Sequence, residues 1–312
     1  MANTIEFSLY DAFTSLPFGG GQAGVVVSKG ELNAELRQNI AFEVGKAATA
    51  FISDYDANSI TVRFHSPTTE YPMCGHGTLC VVTEMLTRDI YNWAEKSELG
   101  LDLKLPQTTS RIEVVRNEEG DAVIMLDIVP HQFPESSFDA EEITKLLSVN
   151  VEDINTDMPI ELACGDFNHL VVPFKTLEAV ARIQPNYTEL NKYCIDNNVQ
   201  TVICYCDETQ DPRNVAHLRD FCPAVGVDES AAGGTTNAGL AAYLFRNGLN
   251  KVTPSGIIKL RTEQGIEMKR PSTIETVINS QDGELVRLQV GGVAIKTVSG
   301  HLPFITESDL GK

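Results

Sequence analysis

The chain has 312 residues, enough for two domains of ordinary size, each with its own hydrophobic core. Hydrophobic residues make up 42% of it and charged residues 21%, which is typical of a globular protein, and no apolar run approaches the roughly eighteen residues of a membrane span. The net charge is −19, from 24 basic and 43 acidic side chains. This charge disfavours nucleic acid and anionic membrane surfaces as partners, because both need clustered Lys and Arg.

The N-terminal segment MANTIEFSLYDAF has no basic region followed by an apolar stretch, so it predicts a strand rather than a signal peptide. A cytosolic location is expected by default. The seven cysteines, at irregular spacings, then indicate reduced thiols. Cys204 and Cys206 lie in the apolar run TVICYC, where buried strand cysteines are favoured over a zinc site because no second pair and no nearby His completes one.

Predicted strands and helices alternate along the first part of the chain. IEFSLYDAF and AGVVVS predict strands around the glycine turn PFGGGQ. Residues 31–48 carry apolar residues at helical spacing, and TAFISDY and SITVRFHS predict further strands. A glycine-flanked segment then opens into GTLCVVTEMLTRDI, a helix that is apolar over most of its surface and is therefore expected to be buried.

The second part of the chain follows the same plan. HLVVPF predicts a strand, TLEAVARI a helix, QTVICYC and VAHLRDFCP strands, and GLAAYLFRNGL a mostly apolar helix. The remaining segments IIKLRTEQG, TIETVINS, LVRLQV and VAIKTVSG predict strands that complete the sheets.

Two blocks of the sequence match each other letter by letter, and both run from a strand through a loop and glycines into a buried helix. They are Arg63-x-x-x-Pro67 leading into Cys74-Gly75-His76-Gly77-Thr78, and Arg219-x-x-x-Pro223 leading into Ala232-Gly233-Gly234-Thr235-Thr236. The match indicates an internal duplication. We expect an N-terminal half over residues 1–118, completed by a C-terminal strand at about 297–312, and a C-terminal half over residues 119–296.

Each block ends in a glycine–helix junction that could bind an anion. A helix N-terminus leaves backbone N–H groups unpaired and carries partial positive charge, and glycines let a ligand approach that backbone closely. Two junctions facing each other across a cleft could hold a carboxylate from both sides. The alternative is that the glycines only permit tight turns before buried helices. The candidate substrate-binding residues at the two junctions are Gly75, Gly77, Thr78, Gly233, Gly234 and Thr235.

Cys74 adds chemistry to the first junction. The N–H groups of a helix N-terminus stabilise a thiolate, which lowers the pKa of the thiol and prepares it as a base or nucleophile. His76, two residues further on, could donate to a substrate or share a proton. The alternative, a buried structural Cys with a satisfied His, stays open. Cys80, deeper in the same helix, is expected to pack in the core.

Three blocks, YDAFTSLPFGGGQAGVVV, VRFHSPTTEYPMCGHGTLC and LRDFCPAVGVDESAAGGTTNAGLAAYL, resemble in order and spacing the motifs of the phenazine-biosynthesis PhzF-like family. The resemblance covers nearly the whole chain. It implies an α/β (α+β) fold of two pseudo-symmetric diaminopimelate-epimerase-like domains, each a barrel-like sheet around a central helix, with a cleft between them. It also implies a homodimer.

The sequence departs from the catalytic residues that this resemblance implies. Diaminopimelate epimerases and proline racemases, relatives of the family, use two opposed cysteines at the glycine–helix junctions, whereas PhzF-type isomerases use a Glu, an Asp and a His. Here the Glu position is Ala48, the Asp position is Ser230 and the second Cys position is Ala232. Cys74 and His76 are retained, so a two-base racemase is disfavoured and one candidate base remains.

The residues therefore favour a cofactor-independent isomerase or lyase, with Cys74 as the base and His76 beside it. For inversion at a stereocentre, which needs an acid on the opposite face, only Ser230, Thr235 or a water could provide that acid. The substrate would be a small carboxylate, amino-acid-derived or from secondary metabolism. A shape-directed cyclase in natural-product biosynthesis and a non-catalytic small-molecule-binding protein remain alternatives. No nicotinamide, flavin or pyridoxal phosphate is expected, because no P-loop or G-x-G-x-x-G fingerprint follows a strand. No metal is expected, because no two His, Asp or Glu residues fall at helical i, i+4 spacing in a cleft-like context.

Overall fold

The structure, a computed structural model, describes residues 3–28 and 30–304. The chain divides into two compact units. The first comprises the described residues up to Leu126 and those from Gly292 onward, and the second is Asp127–Gly291. The first unit thus takes its last strand from the C-terminal part of the chain. The boundaries expected from the sequence, 118/119 and 296/297, lie several residues from these divisions.

Strands predominate in the N-terminal part of the chain. In order, its elements are β1 (Asn3–Ala12), β2 (Gly21–Val27), α1 (Ala34–Val44), β3 (Ala48–Tyr55), β4 (Ser59–His65), β5 (Glu70–Tyr71), α2 (Gly75–Thr87), a 3₁₀ turn (Trp93–Glu95), β6 (Glu98–Lys104), β7 (Thr109–Arg116) and β8 (Ala122–Ile128). The pairs β1–β2, β3–β4, β6–β7 and β7–β8 are antiparallel, and β2–β3 and β4–β6 are parallel.

The following part of the chain carries more helix. Its elements are α3 (Ala140–Leu147), a 3₁₀ turn (Val151–Asp153), β9 (Glu161–Cys164), β10 (Asn168–Pro173), α4 (Leu177–Ala181), α5 (Tyr187–Asp196), β11 (Thr201–Cys206), β12 (Ala216–Phe221), a 3₁₀ turn (Pro223–Val225), β13 (Glu229–Ser230), α6 (Gly234–Leu244), a π-helical turn (Phe245–Leu249), α7 (Asn250–Val252), β14 (Gly256–Gln264), β15 (Ser272–Gln281) and β16 (Glu284–Gly292). The last strand, β17 (Ala294–Phe304), pairs antiparallel with β1 in the first unit.

The strand pairing repeats between the two units. In the second, β9–β10, β11–β12, β14–β15 and β15–β16 are antiparallel, and β10–β11 and β12–β14 are parallel. This is the order of antiparallel and parallel pairs found from β1 to β8. The duplication inferred from the two sequence blocks is therefore present in the topology, and the prediction of two pseudo-symmetric halves is confirmed.

Each unit packs its sheet around one buried helix. Helix α2 contacts β1, β2, β3 and β17, and α6 contacts β9, β10, β11 and β15. Leu79, Val81, Val82 and Met85 of α2 are fully buried, and each such side chain contributes about 1.5–3 kcal/mol by leaving water. The expectation that the apolar helices after the glycines are buried is confirmed. Cys80 is fully buried in the same helix, as predicted.

Some elements differ from those expected from sequence patterns. The helix expected over residues 31–48 is α1, which begins after Asn33, whose side chain accepts from the Leu36 N–H at 2.8 Å, and ends at Gly45, where φ is +63°. Lys46 and the residues after it lead into β3.

The short strands β5 and β13 carry too few residues to show a period of two, so sequence patterning missed them. Within the described residues, no helix is both long and apolar enough to cross a membrane.

Candidate active site

The first glycine–helix junction lies where α2 begins. Cys74 is the N-cap of α2 with extended backbone (φ −144°, ψ 111°), and Gly75 to Thr78 form the first turn. The Cys74 carbonyl accepts the Thr78 N–H at 2.9 Å and the Thr78 hydroxyl at 2.8 Å, so that hydroxyl is engaged within the helix. The Cys74 side chain therefore lies at the helix start, where its thiol accepts the Gly77 N–H, and the residue is 8% exposed.

His76 lies beside the Cys74 thiol. The Sγ atom is 3.5 Å from His76 Nδ1 and 3.8 Å from Nε2. The imidazole also forms a hydrogen bond with the backbone of Gln22, at the start of β2. The turn before β2 needs glycine, because Gly20 has φ +51° and a Cβ there would lie 1.9 Å from the Ala12 carbonyl oxygen. The glycine turn PFGGGQ thus helps to orient the imidazole.

Cys74 and His76 shift each other's pKa in opposite directions. Burial by itself raises the pKa of the Cys74 thiol, but the charge and hydrogen bond of His76, with the Gly77 N–H, outweigh it and hold the pKa below its usual value. Burial lowers the pKa of His76, and the charge and hydrogen bond of Cys74 outweigh that effect and raise it. Both directions favour a thiolate–imidazolium pair, the form in which a Cys acts as a base.

The two glycines of this junction have different surroundings. A Cβ at Gly77 would lie 2.9 Å from Phe64 Cε1 and 3.2 Å from Cys74 Sγ, so packing of the aromatic ring and the thiol requires glycine there. A Cβ at Gly75 would have no atom within 4 Å. The backbone of Gly75 therefore adjoins open space at the helix N-terminus, where a ligand carboxylate could approach it.

The second junction lies where α6 begins. Gly233 is its N-cap, and Gly234 and Thr235 start the first turn. The Gly233 N–H donates to Gln264 Oε1 at 3.2 Å, and Gln264 Nε2 donates to the Ser230 carbonyl at 2.7 Å. One glutamine of β14 therefore fixes the backbone on both sides of this junction.

Asp220 lies at the second junction, and the sequence patterns did not single it out. It lies in β12, is 2% exposed, and its Oδ2 accepts the Thr236 hydroxyl at 2.7 Å in the first turn of α6. Burial raises the pKa of Asp220 to about 6. Its place after Arg219 matches that of Phe64 after Arg63, and both side chains lie against the first turn of a central helix. The available signal was an acidic residue in the strand run VAHLRDFCP, which leads into the second glycine junction.

The structure places the predicted site residues as two groups, each within one unit. Cys74, Gly75, His76, Gly77 and Thr78 lie together at the start of α2, and Ser230, Gly233, Gly234 and Thr235 lie together at the start of α6. Ala48, at the position of the family Glu, begins β3 and is fully buried. In the described ranges, no group of three or more His, Cys, Asp or Glu side chains is placed to hold a metal ion.

The chain is similar to proteins of one family over nearly its full length. The family model "Phenazine biosynthesis-like protein" matches residues 10–300. An uncharacterized isomerase of Clostridium acetobutylicum is 28% identical over 95% of this chain and 98% of its own. The trans-2,3-dihydro-3-hydroxyanthranilate isomerase of Pseudomonas chlororaphis is 24% identical over 92% of this chain and 95% of its own.

The fold has a solved counterpart. The crystal structure of a PhzF-family phenazine biosynthesis protein from Bacillus anthracis superposes with a TM-score of 0.84, at 25% identity, covering 97% of this chain and 100% of that one. The two-domain epimerase-like fold expected from the sequence is confirmed, and the chain is an enzyme of the isomerase class. With the matched motifs, the repeated topology and the full-length similarity in agreement, the chain belongs to the phenazine biosynthesis-like (PhzC/PhzF) family.

Proposed function

We propose that this isomerase moves a proton on a small carboxylate substrate without a cofactor, and that Cys74 is the base. The observation that carries the proposal is the Cys74 thiol at the N-terminus of α2, 3.5 Å from His76 Nδ1, with its pKa lowered by that neighbour. The substrate class is supported by one relative, the isomerase of trans-2,3-dihydro-3-hydroxyanthranilate, whose named substrate is a carboxylate.

The chemistry needs one proton and no external reagent. The Cys74 thiolate removes a proton from a C–H beside an unsaturated system, and the electron pair of that bond becomes delocalised in the substrate. The His76 imidazolium then protonates another carbon of the same system. The thiol finally returns its proton to the neutral imidazole across their 3.5 Å contact, which restores the starting pair. The net change is a C–H moved along the substrate, an isomerisation.

The substrate carboxylate has a proposed place at the start of α2. The N–H groups of a helix start and their partial positive charge attract an anion, and the open space beside Gly75 lets it approach. We further propose that Gly233, Gly234 and Thr235 bind the substrate at the second junction, where the Ser230 hydroxyl donates a hydrogen bond to the substrate while His76 supplies the proton.

The assembly is a separate proposal. We propose a homodimer, which the family resemblance implies, and expect sedimentation at micromolar concentration to give a species of twice the chain mass. A single species near the 34.1 kDa of one chain would overturn it.

Solvent-exchange experiments on cysteine variants test the mechanism. The protein is incubated in D₂O with a panel of small unsaturated carboxylates, including trans-2,3-dihydro-3-hydroxyanthranilate, and deuterium in the substrate and product is measured. We expect Cys74→Ser to slow turnover roughly 10²–10⁴-fold, the usual contribution of a positioned base, with little change in substrate affinity. Cys80→Ser, a buried thiol of the same helix, is the matched control and should leave exchange unchanged.

Two results would redirect the proposal. Full activity in both Cys74→Ser and Cys74→Ala would exclude the cysteine base, and product formation without deuterium would then favour a shape-directed cyclase. Binding of a panel compound with no turnover by the unmodified protein would favour a non-catalytic binding protein. His76→Gln separates the roles of the pair, because it should slow reprotonation while Cys74 remains able to exchange the substrate proton more slowly.

A further inference from the structure

A histidine outside both junctions is held between two carboxylates in the second unit. His217, in β12, is fully buried. Its Nδ1 is 3.0 Å from Glu263 Oε1, and its Nε2 is 3.0 Å from Glu267 Oε1. An ionised carboxylate can only accept hydrogen bonds, so both contacts are satisfied at once only when both ring nitrogens carry hydrogen. The arrangement is that of a buried imidazolium between two carboxylates.

The charges of this cluster agree with its hydrogen bonding. Burial by itself lowers the pKa of His217, but the hydrogen bonds and charges of Glu267 and Glu263 outweigh it and raise the pKa. Burial by itself raises the pKa of both glutamates, but the groups that donate hydrogen bonds to their carboxylates outweigh burial and lower both pKa values. Other charged or titratable groups near the cluster include Arg219 in the same strand and Cys206, opposite His217 in β11. They also include Asp211, whose N–H donates to Glu263 and whose carboxylate pairs with Arg213 and Arg261.

The two glutamates are held differently. Glu263 also accepts the N–H groups of Gln210 at 2.6 Å and Asp211 at 3.0 Å, and the Asn214 side-chain amide at 2.6 Å, so it is fixed without His217. Glu267 Oε2 is buried and has no partner in the described part of the chain. The hydrogen bond from His217 Nε2 therefore connects the Glu267 side chain to strand β12 of the sheet.

Glu267 belongs to a turn that lies on the second junction. The turn closes through the Arg270 N–H to the Gly265 carbonyl at 3.0 Å. Gly265 has φ +75°, and a Cβ there would lie 2.5 Å from the Ala231 carbonyl oxygen. The Ser272 hydroxyl, just beyond the turn, donates to that same carbonyl at 2.8 Å. The turn thus adjoins the residue that follows Ser230.

The residue before the turn reaches the junction directly. Gln264 separates Glu263 from Gly265, and its side-chain amide bonds the Ser230 carbonyl, the Gly233 N–H and Asn237 Nδ2. His217 therefore contacts Glu263, immediately before Gln264, and Glu267, three residues after it, and Gln264 fixes the backbone of the junction. A loss of the His217 contacts would free the turn first and the junction after it.

We propose that His217, held as an imidazolium between Glu263 and Glu267, is a positioning residue that sets the backbone of Ser230 to Gly233 through the turn at residues 265–270 and through Gln264. The catalytic meaning of that backbone rests on the proposed function, but the positioning itself does not. The contacts are intact while His217 is protonated. They weaken as the pH rises through the raised pKa of His217, so the junction loosens on the alkaline side.

Hydrogen exchange followed by mass spectrometry tests the proposal on the full chain. With intrinsic rates corrected for pH, we expect His217→Gln to accelerate exchange about tenfold or more in peptides covering residues 229–237, with no change in residues 75–80 of α2. The matched control His301→Gln removes an exposed histidine and should change neither segment. Unchanged exchange at 229–237 would overturn the proposal, as would an equal acceleration in every peptide of the second unit.

If His217→Gln fails to fold, a pH titration of the unmodified protein tests the same positioning role of His217. By NMR, the Gly233 amide should titrate with the same midpoint as the His217 ring, above the usual histidine value. A Gly233 amide that does not follow the His217 ring would overturn the positioning role. Neither readout needs a substrate, so the result is independent of whether Cys74 proves to be the base.

Discussion

The six other cysteines differ from Cys74 in the direction of their pKa shift. Burial raises the pKa of Cys194 to about 11 and that of Cys206 to about 12, and it also raises the pKa of Cys80 and of the partly exposed Cys164. Burial also raises the pKa of Cys204, where the nearby Arg219 does not outweigh it, and that of Cys222. A lowered thiol pKa therefore distinguishes Cys74 chemically, and it does so through a residue only two positions away in the sequence.

Alkylation should therefore select Cys74. At pH 7 we expect iodoacetamide to modify it before the other cysteines, with a rate that rises with pH around a midpoint below the usual thiol value. His76→Gln should move that midpoint upward because the neighbouring cation is lost. Cys164→Ser, which removes a partly exposed thiol, should leave the rate unchanged. Peptide mapping measures the site, and preferential labelling of Cys164 would contradict the prediction.

The two glycines of the first junction provide a matched pair of variants. Gly77→Ala should lower the free energy of unfolding by roughly 1–3 kcal/mol and shift the thiol, because its Cβ would meet Phe64 and Cys74. Gly75→Ala should leave stability unchanged or raise it by about 0.5–1 kcal/mol, because no atom is near its Cβ. Urea denaturation measures both. If Gly75 binds the substrate, Gly75→Ala should also raise KM; equal destabilisation by the two variants would contradict the packing argument.

At the scale of elements, helix α2 is fixed at both ends. Its start carries Cys74, and its last turns carry Glu84, which is 1% exposed. Glu84 Oε2 accepts the Tyr10 hydroxyl at 2.6 Å and the Lys296 ammonium at 2.9 Å, and Oε1 accepts Arg88 Nε at 2.7 Å. Tyr10 lies in β1 and Lys296 in β17, so one buried carboxylate connects the helix to the first and last strands of its unit. This connection limits rotation of α2 within the sheet.

Glu84→Gln should weaken that connection. The glutamine amide keeps the side-chain volume but not the charge that pairs with Lys296 and Arg88. We therefore expect the free energy of unfolding at pH 7 to fall by roughly 1–3 kcal/mol, less than if these two cations were fully buried. Burial raises the pKa of Glu84, but Lys296, Tyr10 and Arg88 outweigh it and lower it. A carboxylate whose pKa is lowered in the folded state stabilises the fold at pH values above its unfolded pKa. This stabilisation is lost as the pH falls through the folded pKa. The difference between the proteins in urea denaturation should therefore shrink in acid.

A control variant checks that the effect of Glu84 comes from its burial. Glu6, the other carboxylate bonded to Arg88, is exposed, so Glu6→Gln should change the free energy of unfolding by less than about 0.5 kcal/mol. A loss at Glu6 as large as that at Glu84 would mean that the exposed pair, and not the buried carboxylate, anchors the helix.

At the scale of the whole molecule, we expect two buried histidines to limit stability in acid. His131 and His169 lie in the second unit with ring centroids 5.6 Å apart, and Gly165 and Gly239 leave room for the rings. Burial lowers the pKa of His131 to about 4 and that of His169 to about 3, where His131 itself adds to the effect. Both are neutral at pH 7, and protonating one would place a charge beside the other.

The stability of the chain should therefore fall between pH 6.5 and pH 4. In that range an unfolded histidine is protonated and a folded one is not, so each costs about 2 kcal/mol by pH 5. A double variant, His131→Gln with His169→Gln, should flatten this acid limb in denaturation experiments, while His301→Gln should not. His217 does not mask the effect, because its raised pKa lowers stability only as the pH rises above about 6.5. An unchanged acid limb in the double variant would contradict the prediction.

The order of elements in the molecule could be predicted from the sequence because it depends on local pattern. Apolar and alternating runs marked the long strands, and the paired blocks from Arg63 and Arg219 marked the duplication that the strand pairing repeats. Elements of two or three residues, such as β5 and β13, contain no period to detect. The candidate base was also predictable, since Cys74 and His76 are separated by one residue at a helix start.

The sequence by itself determined the two halves, their buried central helices and the cysteine–histidine pair, because each depends on neighbours along the chain. The tertiary structure alone decided the contacts that join distant residues. Gln22 reaches His76 from the glycine turn, Asp220 lies under the first turn of α6, and Gln264 holds the second junction from β14. Such contacts depend on strand pairing and packing across the sheet, and a side chain's position along the sequence does not encode which remote neighbour it meets.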